Sequence, residues 1–202
     1  MAYIFKWRIE KVILLPFGGL TVFEEDINRP LKEEALILLF GPLFQIILTY
    51  FFRYDEVFVN YSKILLIFNL LPIYPLDGSK ILNIILNMFL SFKKSHLITM
   101  YISFLFIVIV FVKYDFNLFL LLILSFIFIR VILEIKRHNN IFNRFLLERY
   151  MKDFHFKKYK VIKGVDVNKM KRDYNHVFYN GKRYVTEREI LQKRFDFHRK
   201  TW

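Results

Sequence analysis

The sequence predicts an all-α membrane bundle of about four transmembrane helices, one of them broken, with an N-terminal β-hairpin and a small basic α+β tail. Three observations carry that prediction. Of 202 residues, 55% are hydrophobic and 25 are Phe, an apolar share above the usual soluble range. Long charge-free stretches recur, the first running from Ala35 to Phe52. The net charge of +13 is also unevenly placed, because residues 134–202 hold 19 Lys and Arg against 8 Asp and Glu. Cysteine is absent, which excludes a disulfide framework, a thiolate metal site and a thiol nucleophile.

A membrane body over 1–133 is therefore expected to precede a basic tail over 134–202, the apolar run giving way at Glu134. Residues 4–23 alternate apolar and polar side chains around Pro16, Phe17, Gly18 and Gly19. That pattern predicts a hairpin lying on the membrane, the two glycines permitting a tight turn. Residues 35–52 are long enough to cross the hydrocarbon. Residues 57–92 form a second, interrupted span carrying Lys63 and Asn69 and broken between Pro72 and Gly78. Residues 97–112 and 116–133 are the third and fourth, with Arg130 placed to reach the headgroups. The excess of Lys and Arg after the last span puts the tail in the cytoplasm by the positive-inside rule.

The chemistry is concentrated in Asn69-Leu-Leu-Pro72-Ile-Tyr-Pro75-Leu-Asp77-Gly78-Ser79-Lys80. Two prolines three apart cannot continue a regular helix. Broken backbone at membrane depth survives only where protein or a water-filled cavity receives its polar groups, and a carboxylate there marks a functional site. On the residues alone a second reading stands equally, a water-exposed loop in which Asp77 caps the following helix.

Asn69-x-x-Pro72 followed by Leu76-Asp77-Gly78 resembles the signature of the site-2 protease family of intramembrane zinc metalloproteases. Phe40-Gly41-Pro42-Leu43 is similar to that family's Ala-Gly-Pro segment. Trp7-Arg8-Ile9, Leu14 to Gly19, Asn28 to Glu34 and Arg144 to Tyr150 resemble, in order, segments of its sporulation branch. The resemblance implies zinc held by two His of a His-Glu-x-x-His helix and by Asp77, with Asn69, Pro72, Pro75 and Gly78 supporting the break. In such a site the Glu acts as general base on a zinc-bound water. It further implies that the hairpin at Pro16, Phe17, Gly18 and Gly19 offers an edge to an unwound substrate strand. The implied substrate is a membrane-tethered precursor of the sporulation sigma-factor kind, and an inhibitory membrane protein is an implied partner.

This sequence has no His-Glu-x-x-His. Its His96, His138, His155, His176 and His198 include no pair four apart, so none is expected to bind zinc. His96 reads as interfacial and the other four as solvated. No catalytic base is present, and the resemblance places that Glu upstream of Met1, as if reading began at an internal Met. Activity of the chain alone is accordingly doubtful. The alternatives are a non-catalytic pseudoprotease or membrane scaffold and, more distantly, a small transporter or ion pathway around Asp77. The basic, aromatic tail adjoins a span, so lipid headgroups rather than nucleic acid are its expected partner. Val177 to Val185 predicts a hairpin at Asn180-Gly181, and Thr186 with Glu189 predicts a helix start. This part resembles an abbreviated regulatory domain of the sporulation branch.

Overall fold

The computed structural model describes residues 4, 5, 7, 9–15, 18–23, 27–113 and 118–199. Pro16 and Phe17 of the predicted hairpin turn lie outside the described residues. Strand β1 (Ile9–Leu15) pairs antiparallel with β2 (Gly18–Phe23), Leu15 facing Gly18. Among the described residues five helices follow: α1 (Leu31–Phe51), α2 (Glu56–Asn69), α3 (Asp77–Phe89), α4 (Phe92–Lys113) and α5 (Leu118–Met151). The chain closes with β3 (Lys158–Lys163), a single 3-10 turn at Val167–Lys169, β4 (Tyr174–Tyr179), β5 (Tyr184–Thr186) and α6 (Glu187–Arg199).

The expectation of an all-α bundle with four spans is corrected. Among the described residues two helices, α1 and α4, are long and apolar enough to cross a membrane. Residues 57–92 contain enough apolar chain for a span, but the prolines divide them into α2 of 14 residues and α3 of 13. At 1.5 Å per residue each piece is about 20 Å long, short of the roughly 30 Å hydrocarbon core. The stretch read as 116–133 begins among undescribed residues, and its remainder is the first half of one 34-residue helix, α5. That helix passes Glu134 without interruption and ends in the tail's core. The larger β structure is also C-terminal, a three-stranded sheet of order β3-β4-β5, against a two-stranded β1–β2 pair near the N-terminus.

Both candidate spans are apolar on the outside. Leu39, Phe40, Leu43, Phe44, Ile46 and Ile47 of α1 are all exposed, a patch far beyond what a soluble surface ordinarily carries. α1 lies against α2 and α3, and α4 runs antiparallel to α5, with Phe104 against Phe128 and Ile107, Ile127 and Val131 in one cluster.

In the tail, β3 runs parallel to β4 from Lys158 opposite Tyr174 to Lys163 opposite Tyr179, and β5 pairs antiparallel with the other edge of β4. The β4–β5 connection turns at Gly181, whose φ of +78° suits a residue without a side chain. α6 starts where Thr186 Oγ1 accepts the Glu189 N–H at 3.3 Å and donates to Glu189 Oε1 at 3.0 Å. Phe145, Leu146, Met170, Phe178 and Leu191 are fully buried, and Phe92 of α4 stacks on Phe145 at 4.4 Å.

Polar contacts fix the helix bundle to this module. The Leu31 N–H, at the start of α1, donates to the Asp173 carboxylate at 3.2 Å, and the Phe92 N–H, at the start of α4, donates to Met170 O at 3.0 Å. Both candidate spans therefore begin on the tail module. Arg172 pairs with Glu34 at 2.6 Å. At the centre is Arg149, its side chain 2% exposed, donating to Asn28 Oδ1 (2.6 Å), Tyr174 O (2.9 Å), Lys171 O (3.0 Å) and Glu187 Oε1 (3.0 Å). Its guanidinium also lies over the Phe145 and Phe156 rings, each at 4.9 Å, a packing only a planar cation makes well.

His176 completes the network, with Nδ1 toward Glu187 Oε2 at 3.0 Å and Nε2 accepting the Lys171 N–H at 3.0 Å. Burial pushes the His176 pKa below 6.5. Burial alone would raise the Glu187 carboxyl, but the bonds from His176 and Arg149 outweigh it and hold it below 4.5. Both groups bind a proton more readily unfolded than folded. The stability they contribute is complete above pH 6.5 and falls as the pH drops past the ordinary His value and then the ordinary Glu value. A series of thermal unfolding curves of the purified protein should show a melting temperature steady from pH 8 to 7 and falling below about 6.5. A melting temperature that rose on acidification would contradict the network.

Candidate functional site at the broken helix

α2 begins with Asp55 Oδ1 accepting the Phe58 N–H at 3.0 Å, and it stops at Asn69 because Pro72 cannot supply the next donors. The chain then crosses in tight turns, Ile73 N–H to Leu71 O and Leu76 N–H to Ile73 O, both at 2.8 Å, before α3 starts at Asp77. Ser103 of α4 holds this crossing. Its Oγ accepts the Tyr74 N–H at 3.0 Å and lies 3.1 Å from Pro72 O and 2.9 Å from Thr99 O, to which its single proton can be given. Ser103 is near the midpoint of Phe92–Lys113. The break is therefore level with the middle of a candidate span, and its freed polar groups are received by protein, as backbone at that depth requires.

Gly78 closes the junction. A Cβ at this position would overlap the backbone oxygens of Leu70 and Leu71, so the start of α3 presses directly on the end of α2. Leu76 is the N-cap of α3 and makes no side-chain cap bond, while Asp77 is the first helical residue. The alternative in which Asp77 caps the helix is thus not the geometry found. The Asp77 carboxylate, about a third exposed, faces Lys80 Nζ at 3.4 Å, and the amino end of α3 favours a negative charge there. Ser79 Oγ donates to Leu76 O at 2.8 Å. Pro72 and Pro75 sit in the crossing, and Asn69, half-buried, ends α2. The structure brings Asn69, Pro72, Pro75, Asp77 and Gly78 into one junction. Gly18 and Gly19 are in the separate β1–β2 ladder.

Among the described residues no group of three His, Cys, Asp or Glu side chains could hold a metal ion. Asp77 supplies one carboxylate already facing an ammonium, and that donor set does not fit zinc by itself.

The histidines are not where sequence reasoning put them. His96 on α4 and His138 on α5 are both buried, their Nδ1 atoms 3.0 Å apart and their rings stacked at 5.1 Å. His96 Nε2 lies 3.6 Å from Glu134 Oε1, and the Tyr74 phenol is near enough to the Glu134 carboxylate for the two to interact electrostatically. A polar chain thus leads from the broken segment through Glu134 and His96 to His138. Burial, with His96 and Lys93 nearby, pushes the His138 pKa down to about 4. A pair 42 residues apart on two helices leaves no spacing signal in the sequence. His176 is buried as well, whereas His155 is exposed as expected and the His198 side chain lies outside the described residues.

A membrane-type helical chain whose proline-broken segment carries Leu76-Asp77-Gly78 at the depth of a span's midpoint is a relative of the site-2 protease family of intramembrane metalloproteases. The kinship runs to stage IV sporulation protein FB of Bacillus subtilis (strain 168), 38% identical over 165 residues, which cover 74% of this chain and 57% of that protein. A zinc metalloprotease of Methanocaldococcus jannaschii is 32% identical over 102 residues, 44% of this chain and 29% of that protein. The chain spans little more than half the length of the first and less than a third of the second. No family model matches the chain.

Proposed function

We propose that the chain serves intramembrane proteolysis of a membrane-tethered precursor, with Asp77 as one ligand of a catalytic zinc and the tail on the cytoplasmic side. The observation that supports this most is the placement of Asp77: first residue of α3, three residues after the Tyr74 N–H that Ser103 holds, in a junction that Gly78 keeps closed. In this reading Asn69, Pro72, Pro75 and Gly78 hold the break in shape. The β1–β2 ladder offers its edge to a substrate strand unwound from its own helix. Two imidazoles and a general base are not among these 202 residues in His-Glu-x-x-His form, so cleavage requires them from further protein. A precursor of the sigma-factor kind is the expected substrate, and a membrane protein that restrains cleavage the expected partner.

A second reading, a non-catalytic member that binds the same substrate, is favoured by the Asp77–Lys80 pair, since a carboxylate engaged by an ammonium is a weaker ligand. Zinc content and cleavage of a tethered peptide separate the two. The measurement compares this chain with a form extended by a His-Glu-x-x-His span, each with and without Asp77→Asn. The protease reading expects one zinc and cleavage from the extended form, both lost on Asp77→Asn. An extended form that binds zinc equally well with Asn at 77 would refute the ligand assignment.

A further inference from the structure

The junction of α3 and α4 meets the tail in a groove of about 350 Å³ that the proposed proteolysis does not use. Lys94 of α4, Lys160 and Lys163 of β3, and Lys169 and Lys171 line it, and none of its lining residues is acidic. Like charges are not gathered round a concavity without cost. Burial, with Lys160 beside it, pushes the Lys171 ammonium below its ordinary value. Lys171 also donates to Phe89 O at the end of α3, which fixes one wall. A second observation is independent of charge. Ser91 lines the same groove, is 7% exposed, and its Oγ has no hydrogen-bond partner among the described residues. A buried hydroxyl without a partner is costly, and this one shares the groove with five lysines, immediately before the 22-residue helix α4.

The groove opens where α4 starts, which is where a spanning helix meets the headgroups. Phe89, 71% exposed, and Val161, 56% exposed, flank the lysines with apolar surface. A soluble anion has no use for that apolar rim, whereas a phospholipid presents a phosphate and an acyl chain side by side. We propose that this groove binds the phosphate headgroup of an anionic phospholipid, with the lysines neutralising its charge and the Ser91 hydroxyl turning outward to donate to a phosphate oxygen. The proposal rests on α4 crossing a bilayer and is independent of catalysis.

The test counts lipids on the full chain by native mass spectrometry after reconstitution in nanodiscs mixing phosphatidylglycerol with phosphatidylcholine. Three variants are compared with the parent. The first replaces Lys94, Lys160 and Lys163 by Gln. The second is Ser91→Ala. The third replaces the exposed Lys157, Lys182 and Lys193, outside the groove, by Gln. A lysine near anionic headgroups contributes about 1 kcal/mol, about fivefold in affinity, so the first variant should bind phosphatidylglycerol on the order of a hundredfold more weakly. Ser91→Ala should weaken it several-fold with no fall in melting temperature, and the control set should change it little. An equal loss from the control set would overturn the proposal by showing non-specific attraction. Equal retention of glycerol 3-phosphate or inorganic phosphate by the parent would overturn the lipid assignment in favour of a soluble phosphate. A chain that fails to float with vesicles of either composition would remove the span on which the proposal depends.

Discussion

Arg149→Ala should detach the tail from the helix bundle and unfold it. The substitution removes a charge whose side chain is 2% exposed and strips partners from Asn28, Glu187 and two backbone carbonyls together. Removing one partner of a buried charged network costs about 3–5 kcal/mol, a large part of the stability of a small module. Arg149→Lys keeps the charge but cannot reach Asn28, Glu187 and both backbone carbonyls at once or lie flat over Phe145 and Phe156, so an intermediate loss is expected. Limited proteolysis with mass spectrometry provides the check, because cleavage between β3 and α6 should become rapid in the Ala variant. Parent-like protection in that variant would show that the network contributes little. Asn28 then supplies a specific control. It bonds Phe145 O at 3.0 Å as well as Arg149, so Asn28→Ala should loosen the start of α1 while leaving the sheet intact.

Gly78→Ala should open the broken helix. The added methyl would overlap the backbone of Leu70 and Leu71, and backbone, unlike the end of a flexible side chain, cannot turn aside. Overpacking of this kind costs about 1–3 kcal/mol and occasionally more. Here the relaxation available is for α3 to move off α2, carrying Asp77 with it. A disulfide engineered between the end of α2 and the start of α3 reports the gap. Its oxidation should be fast with Gly at 78 and slow with Ala. In a form that cleaves, proteolysis should fall in step with that rate. Unchanged oxidation would mean that the close approach at Leu70 is not needed.

The break itself was legible in the sequence, because Pro72, Pro75 and Gly78 each act locally, by a missing donor or a missing side chain, and local causes can be read in order along a chain. The number of spans was not. Hydropathy measures how much apolar chain lies between charges. It does not show that 57–92 is spent on two helices of 14 and 13 residues, or that α5 continues past Glu134 into the tail. The turn at Asn180-Gly181 and the helix start at Thr186 were readable for the same local reason as the break. His96 with His138, and Asn28 with Arg149, His176 and Glu187, are partners only in three dimensions. The sequence shows single polar residues on apolar faces, and the natural reading of each one alone is a solvated side chain.

The way α1 is anchored also bears on how the protein is made. The first N–H of α1 finds its acceptor in Asp173, 142 residues further along the chain. At about 5–20 residues per second of synthesis, that acceptor emerges roughly seven to thirty seconds after Leu31. During that interval the first candidate span exists with its entry point unfastened, free to shift its depth or tilt. Its final position is set retroactively, when the last quarter of the chain folds against it. A ribosome stalled before Asp173 should therefore hold an α1 that labels at more than one depth, and release of the full chain should collapse those positions into one.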